Sequence, residues 1–217
     1  MRLIRAARGA GVAALAAGIY SLVILRQVYL MTVIAQNTQG LPEETPWQWG
    51  LGGWLWLLAI FSWMVLLVAL MHHYSPVHRI SSSLQSGLMV IAATLLIAGI
   101  LAGMNRFGLV HALNADQPFG PITATEKIVE LFALSLLAAG LLMGGGVTTW
   151  ICIDLVVLRK LPAAWMVPGA AAGVLALFSP FLLPELRHLL IALFAYCVWC
   201  LILGFRTSLP AGYPEFE

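Results

Sequence analysis

Charge is the scarcest property of this sequence. Only 9% of its 217 residues are charged and 61% are hydrophobic, where soluble domains carry about 25% charged residues. So few polar side chains do not cover a water-facing exterior, which excludes an ordinary soluble domain and points to a bundle solvated by lipid. The eleven basic residues are scattered at segment ends, which excludes the basic stripe of a nucleic-acid binder. Cysteine is scarce too: Cys152, Cys197 and Cys200 all lie inside apolar runs, against an extracellular disulfide framework. The two lysines, Lys127 and Lys160, fall at segment ends, leaving no lysine in a bundle core for a retinal Schiff base. Phosphate-loop, zinc-helix and nucleophile-elbow motifs are absent. Gly9 to Ala14 matches the loose dinucleotide fingerprint, but no strand precedes it and it opens an apolar run.

What is present is apolar length. A span needs about 20 predominantly apolar residues to cross roughly 30 Å of hydrocarbon, and six segments qualify: 10–35, 51–71, 84–104, 128–158, 163–183 and 185–205. The expected fold is one all-α domain over 1–217, a polytopic transmembrane helix bundle. The charged start followed by a long apolar run reads as an uncleaved first span. With the N-terminus inside, the cytoplasmic pieces hold seven basic residues, Arg2, Arg5, Arg8, Arg79, Arg159, Lys160 and Arg206, against three outside, Arg106, Lys127 and Arg187. That bias predicts N-in, C-in topology, and the inner cell membrane is the expected location.

Helix ends carry their own signals. Thr123 to Glu126 has the spacing of a capping box before the fourth span. Ser81, Ser82 and Ser83 are candidate caps of the third. Pro162 and Pro184 suit first helical positions, and Trp47, Trp49, Trp54 and Trp56 suit the headgroup level. Glycines recur at four-residue spacing: Gly99 and Gly103, Gly140 and Gly144, Gly169 and Gly173. Such pairs let helix backbones approach closely, within one chain or between copies. The fourth segment is overlong for a bilayer, and Gly144, Gly145 and Gly146 at its centre tolerate either close packing or a break of the kind transporters use.

Three sets of residues could carry chemistry. Arg26 is the charge deepest in a span, with Glu130 its expected partner, and intramembrane charges mark solute pathways unless they snorkel to headgroups. Cys197 and Cys200 share a helix face, with Cys152 at similar depth, as a thiol relay would require; the pair sits toward a helix C-terminus, which disfavours thiolate, and buried cysteine is commonly a small apolar residue. His111 and His188 could meet acidic residues to bind a metal, but no diagnostic spacing occurs, while His72, His73 and His78 cluster in one connection. No pattern specifies a cofactor. The expected role is a non-catalytic accessory, assembly or structural subunit, with the bilayer and other membrane subunits as partners. The alternatives are a small-solute transporter using Arg26 and Glu130, and an oxidoreductase using Cys197 and Cys200.

Overall fold

The structure, a computed structural model, describes residues 2–31, 46–74, 80–106, 108–109, 122–182 and 187–205. Among them there is no strand. Helix α1 (Arg2–Tyr20) runs on through a π-helical turn (Ser21–Leu25) and stays helical to residue 31. It is followed by α2 (Trp47–Tyr74), α3 (Ile80–Met104), α4 (Ile122–Val157), α5 (Ala163–Leu182) and α6 (Arg187–Phe205). Among the described residues, five stretches are long and apolar enough to cross a membrane: Leu3–Met31, Trp47–His72, Ile80–Met104, Ala124–Val157 and Ala163–Phe181. The sixth expected span is represented by a shorter apolar stretch, Leu190–Phe205. Large apolar side chains also cover the exterior, among them Val12 and Ile19 on α1, Phe61 and Val65 on α2, and Ile128 and Phe132 on α4. Helices apolar on both faces and exposed on one are consistent with a multi-pass membrane protein.

Local chemistry sets the ends, partly in ways that differ from the sequence expectation. Helix α4 begins at Ile122 and α3 at Ile80, so Thr123 and Ser81 to Ser83 lie inside first turns instead of ahead of them. Glu126, expected to close a capping box, pairs with Arg106. Pro162 does act at the start of α5, its carbonyl accepting the N–H groups of Trp165 and Met166 at 3.0 and 3.3 Å. Helix α4 stops where Arg159 adopts a left-handed backbone, φ 51°, and the Lys160 N–H turns back to the Leu155 carbonyl at 3.0 Å, a Schellman closure without its usual glycine. Pro180 withdraws an N–H from the Ala176 carbonyl inside α5; the Ser179 hydroxyl donates to that oxygen instead, at 3.1 Å, so a part-buried acceptor is not left empty. Pro184 lies outside the described residues.

The helices form a closed ring in chain order. Each packs on its sequence neighbour, and α6 returns to α1. Every seam is antiparallel. On α1 and α6, Gly11 meets Cys200, Gly18 meets Phe194 and the Arg8 Nε–H donates to the Gly204 carbonyl at 2.7 Å. On α3 and α4 the notches are reciprocal: a Cβ on Gly99 would stand 2.7 Å from Leu137 Cγ, and one on Gly140 would stand 2.7 Å from Leu96 Cγ. On α4 and α5 the backbones themselves touch, since a Cβ on Gly145 would strike the Gly173 carbonyl oxygen and stand 2.5 Å from the Leu177 nitrogen.

The ring is filled unevenly along its axis. Toward the near end, where α1 begins, lies one large core. Leu66, Leu67 and Leu70 of α2, Leu155 of α4, Met166 of α5 and Trp199 of α6 are all 0% exposed. Beyond the middle fewer large side chains are buried, among them a small cluster of Ile60, Ala93, Leu96 and Leu137, and beside it lies a partly open cavity of about 100 Å³.

Candidate functional site

This cavity is the candidate site. Five helices line it, α2 to α6, and α1 does not. Trp56 and Trp63 come from α2, one face apart by two turns; Ile100 comes from α3; Gly140, Gly144 and Thr148 from α4; Ala172, Gly173 and Ala176 from α5; and Leu193 and Tyr196 from α6. Small residues at four-residue spacing create the space, because the α4 and α5 faces turned to it carry little more than backbone. The lining is almost wholly apolar and the recess is partly open.

Its floor carries polar groups, of which Trp63 and Thr148 are satisfied and the Tyr196 hydroxyl makes no hydrogen bond among the described residues. Trp63 donates its indole N–H to Thr148 Oγ1 at 3.1 Å across the ring, and the Thr148 hydroxyl donates to the Gly144 carbonyl at 2.7 Å. Trp56, higher on the wall, donates to Ser21 Oγ at 2.9 Å, and Ser21 in turn donates to the Ala17 carbonyl at 2.7 Å, at the start of the π-helical turn. There the Arg26 N–H reaches back five residues to the Ser21 carbonyl, the pairing that defines a π-turn. Tyr196 is buried, with the Cys200 thiol one turn away as its polar neighbour.

Two levels of charge bracket the cavity. At the far end, the Arg106 guanidinium lies 5.1 Å over the Trp49 ring and pairs with Glu126 Oε1 at 3.3 Å, with side chains 8% and 12% exposed. Trp49 donates to the Gly103 carbonyl at 2.9 Å, so α2, α3 and α4 are tied together there. Leu25 packs on Gly52, which places Arg26 level with the first turns of α2 and with this belt. At the near end lie Arg8, and Asp154, whose Oδ2 accepts from Gln85 Nε2 at 2.7 Å. Arg8 and Arg26 are separated by about 27 Å at 1.5 Å per residue, close to the roughly 30 Å of a hydrocarbon core.

The residues singled out from sequence fall into separate places. Arg26 is exposed on α1 and Glu130 half-buried on α4, on helices that are not neighbours in the ring, and no ion pair joins them; the pair that forms at that level is Arg106 with Glu126. Gly144, Gly145 and Gly146 lie within an unbroken α4. The break considered for that segment is absent; Gly145 lies against Gly173, and a Cβ on Gly144 would stand 3.4 Å from the Trp63 ring. Gly99, Gly140, Gly169 and Gly173 each abut another helix of the same chain; Gly103 has no side-chain neighbour within 4 Å at its Cβ position. Cys152, Cys197 and Cys200 are buried free thiols in the near-end core, Cys197 donating weakly to the Gly11 carbonyl at 3.4 Å. Among the described residues, no three of His, Cys, Asp and Glu converge. His78 and His111 lie outside the described residues.

Sequence reasoning missed Gln85, Thr148, Trp63 and the Arg106–Glu126 pair. A signal existed for Asp154, a lone charge in an apolar run that calls for a polar partner; Gln85, set among Ser81 to Ser83 and Ser86, gave none. Compared with known proteins, the chain matches no protein-family model, no curated protein and no solved structure.

Proposed function

We propose that the protein is a six-span component of the inner cell membrane, with both termini cytoplasmic, that serves as a non-catalytic accessory or assembly subunit of a larger membrane complex. The observation that carries this reading is how the deep polar groups are used. Gln85 with Asp154, Trp63 with Thr148, Thr149 with the Ala170 carbonyl and Trp199 with the Trp165 carbonyl each fasten one helix to another. Interhelical hydrogen bonds of this sort stabilise a bundle, and spent in this way they do not converge on a reacting atom. A sixth span is supported by the register of α6, whose Phe194 and Cys200 lie level with Gly18 and Gly11 of α1. The basic residues gathered at the near end support a cytoplasmic near end. The apolar exterior of the ring is the surface left for other subunits.

Purification in mild detergent tests the role: a partner in fixed stoichiometry is expected, and a partnerless monomer counts against it. Reporter fusions after each helix test the topology independently, and a C-terminal reporter outside the cytoplasm removes the sixth span. A transport reading has one observation in its favour, the cavity that opens in one half of the ring and is closed by packing in the other. Arg26 and Glu130 stand away from that cavity, so a solute taken there would be apolar.

A further inference from the structure

We infer that the cavity in the far half of the ring is a binding site for one acyl chain of a phospholipid from the adjoining leaflet. The inference goes beyond the accessory role and rests only on the six-span reading. Shape is the first argument. Trp56 and Trp63 lie about 10 Å apart along α2, and Gly140 and Thr148 about 12 Å apart along α4, at 1.5 Å rise per residue; both pairs line the same recess. A recess that runs two helical turns between almost wholly apolar walls is elongated, and an elongated apolar slot suits a linear hydrocarbon better than a compact ring.

Chemistry is the second argument. Of the hydrogen-bonding groups at the wall, Trp56, Trp63 and Thr148 are satisfied within the protein and the Tyr196 hydroxyl makes no hydrogen bond among the described residues, so the wall offers an occupant a single polar group in an otherwise apolar lining. Water is disfavoured for the same reason, since a buried water requires two to four polar partners. Depth is the third. Arg26, Arg106 and Lys127 belong to the far charged belt, and from the level of Arg26 to the level of Trp63, which α1 meets near Ala14, the rise is about 18 Å. That is slightly more than one leaflet of a roughly 30 Å hydrocarbon core. A lipid with its headgroup at the belt therefore delivers its chain to the Trp63–Thr148 floor.

Native mass spectrometry of the detergent-washed full chain tests this, together with quenching in nanodiscs of phosphatidylcholine carrying a dibrominated acyl chain. The Trp63 signal is taken as the difference between wild type and Trp63→Phe. One retained phospholipid per chain is expected, with Trp63 quenched at least twofold more in wild type than in Gly144→Leu, which fills the slot; Gly144→Ala should bind as wild type does. Absence of any retained lipid overturns the proposal, as does retention of an isoprenoid alone, or equal quenching in the filled variant. If Gly144→Leu does not fold, the mass spectrum of the wild type decides by itself. Failure of lipid binding in a chain mapped to six spans overturns this inference alone and leaves the accessory reading to its pull-down.

Discussion

The two halves of the ring are built from the same kind of residue and yet pack differently. In the near half, leucines of α2 and α4 pack with Met166 and Trp199 in one continuous buried core. In the far half, α4 and α5 present Gly140, Gly144, Ala172 and Ala176 to the axis, and Trp56 and Trp63 reach across from α2 without filling the space. Mean hydropathy cannot distinguish these halves, because lipid is as apolar as leucine. Side-chain volume at each level distinguishes them. Where large residues face the axis, dispersion contacts close the ring; where small ones do, helix seams hold it and the middle stays open.

That contrast can be broken experimentally, beginning at the seam the two halves share. Gly173→Leu should be the most disruptive change, because a side chain there meets the Gly145 carbonyl and the Thr149 nitrogen at 2.7 and 2.8 Å, backbone atoms that do not yield. A loss of more than about 3 kcal/mol is expected, read as failure to purify as a monodisperse species. Next comes the leucine comparison. Leu67→Ala in the packed half should cost about 2–4 kcal/mol in reversible detergent unfolding, whereas Leu141→Ala, half-buried at the edge of the cavity, should cost less than about 1 kcal/mol. Equal losses would mean that the halves are packed alike. Asp154→Leu should follow, at about 1–3 kcal/mol, since it strands the amide of Gln85, 1% exposed, without its acceptor; a double change with Gln85→Leu should recover most of the loss. Smallest is Gly144→Ala, whose new methyl stands 3.4 Å from Trp63 and gains helix propensity. A stabilisation of about 0.5–1 kcal/mol is expected, and a lowered Tm would show that the far half has no spare room.

Much of the fold was legible beforehand, and the reason is the bilayer. Apolar runs of span length admit only helices when backbone groups must be satisfied internally, so the segment at 51–71 and the helix Trp47–Tyr74 are nearly the same object. The glycine spacing also announced close seams, though not which helices would share them. The site was much less legible. Arg26 looked deep because the apolar run continues past it, yet its level is set by the packing of Leu25 on Gly52 near the start of α2. Arg106, counted only as an outer basic residue, is held nearly buried by Glu126 and Trp49. The cysteine pair has a suggestive spacing, and the α1 seam turns it into packing against Gly11.

Composition and run length by themselves determined a chain of long apolar helices consistent with a multi-pass membrane protein, since nine charged residues in every hundred do not dress a water-facing surface. Tertiary structure decided the rest: that α6 closes on α1, that Gln85 finds Asp154, that the triple glycine stays helical, and that the small faces of α4 and α5 meet across an axis and leave a cavity. Those outcomes depend on rotation and register between helices, which hydropathy does not encode because every face is apolar. They are settled by where a glycine admits a neighbouring backbone and where a leucine keeps it away.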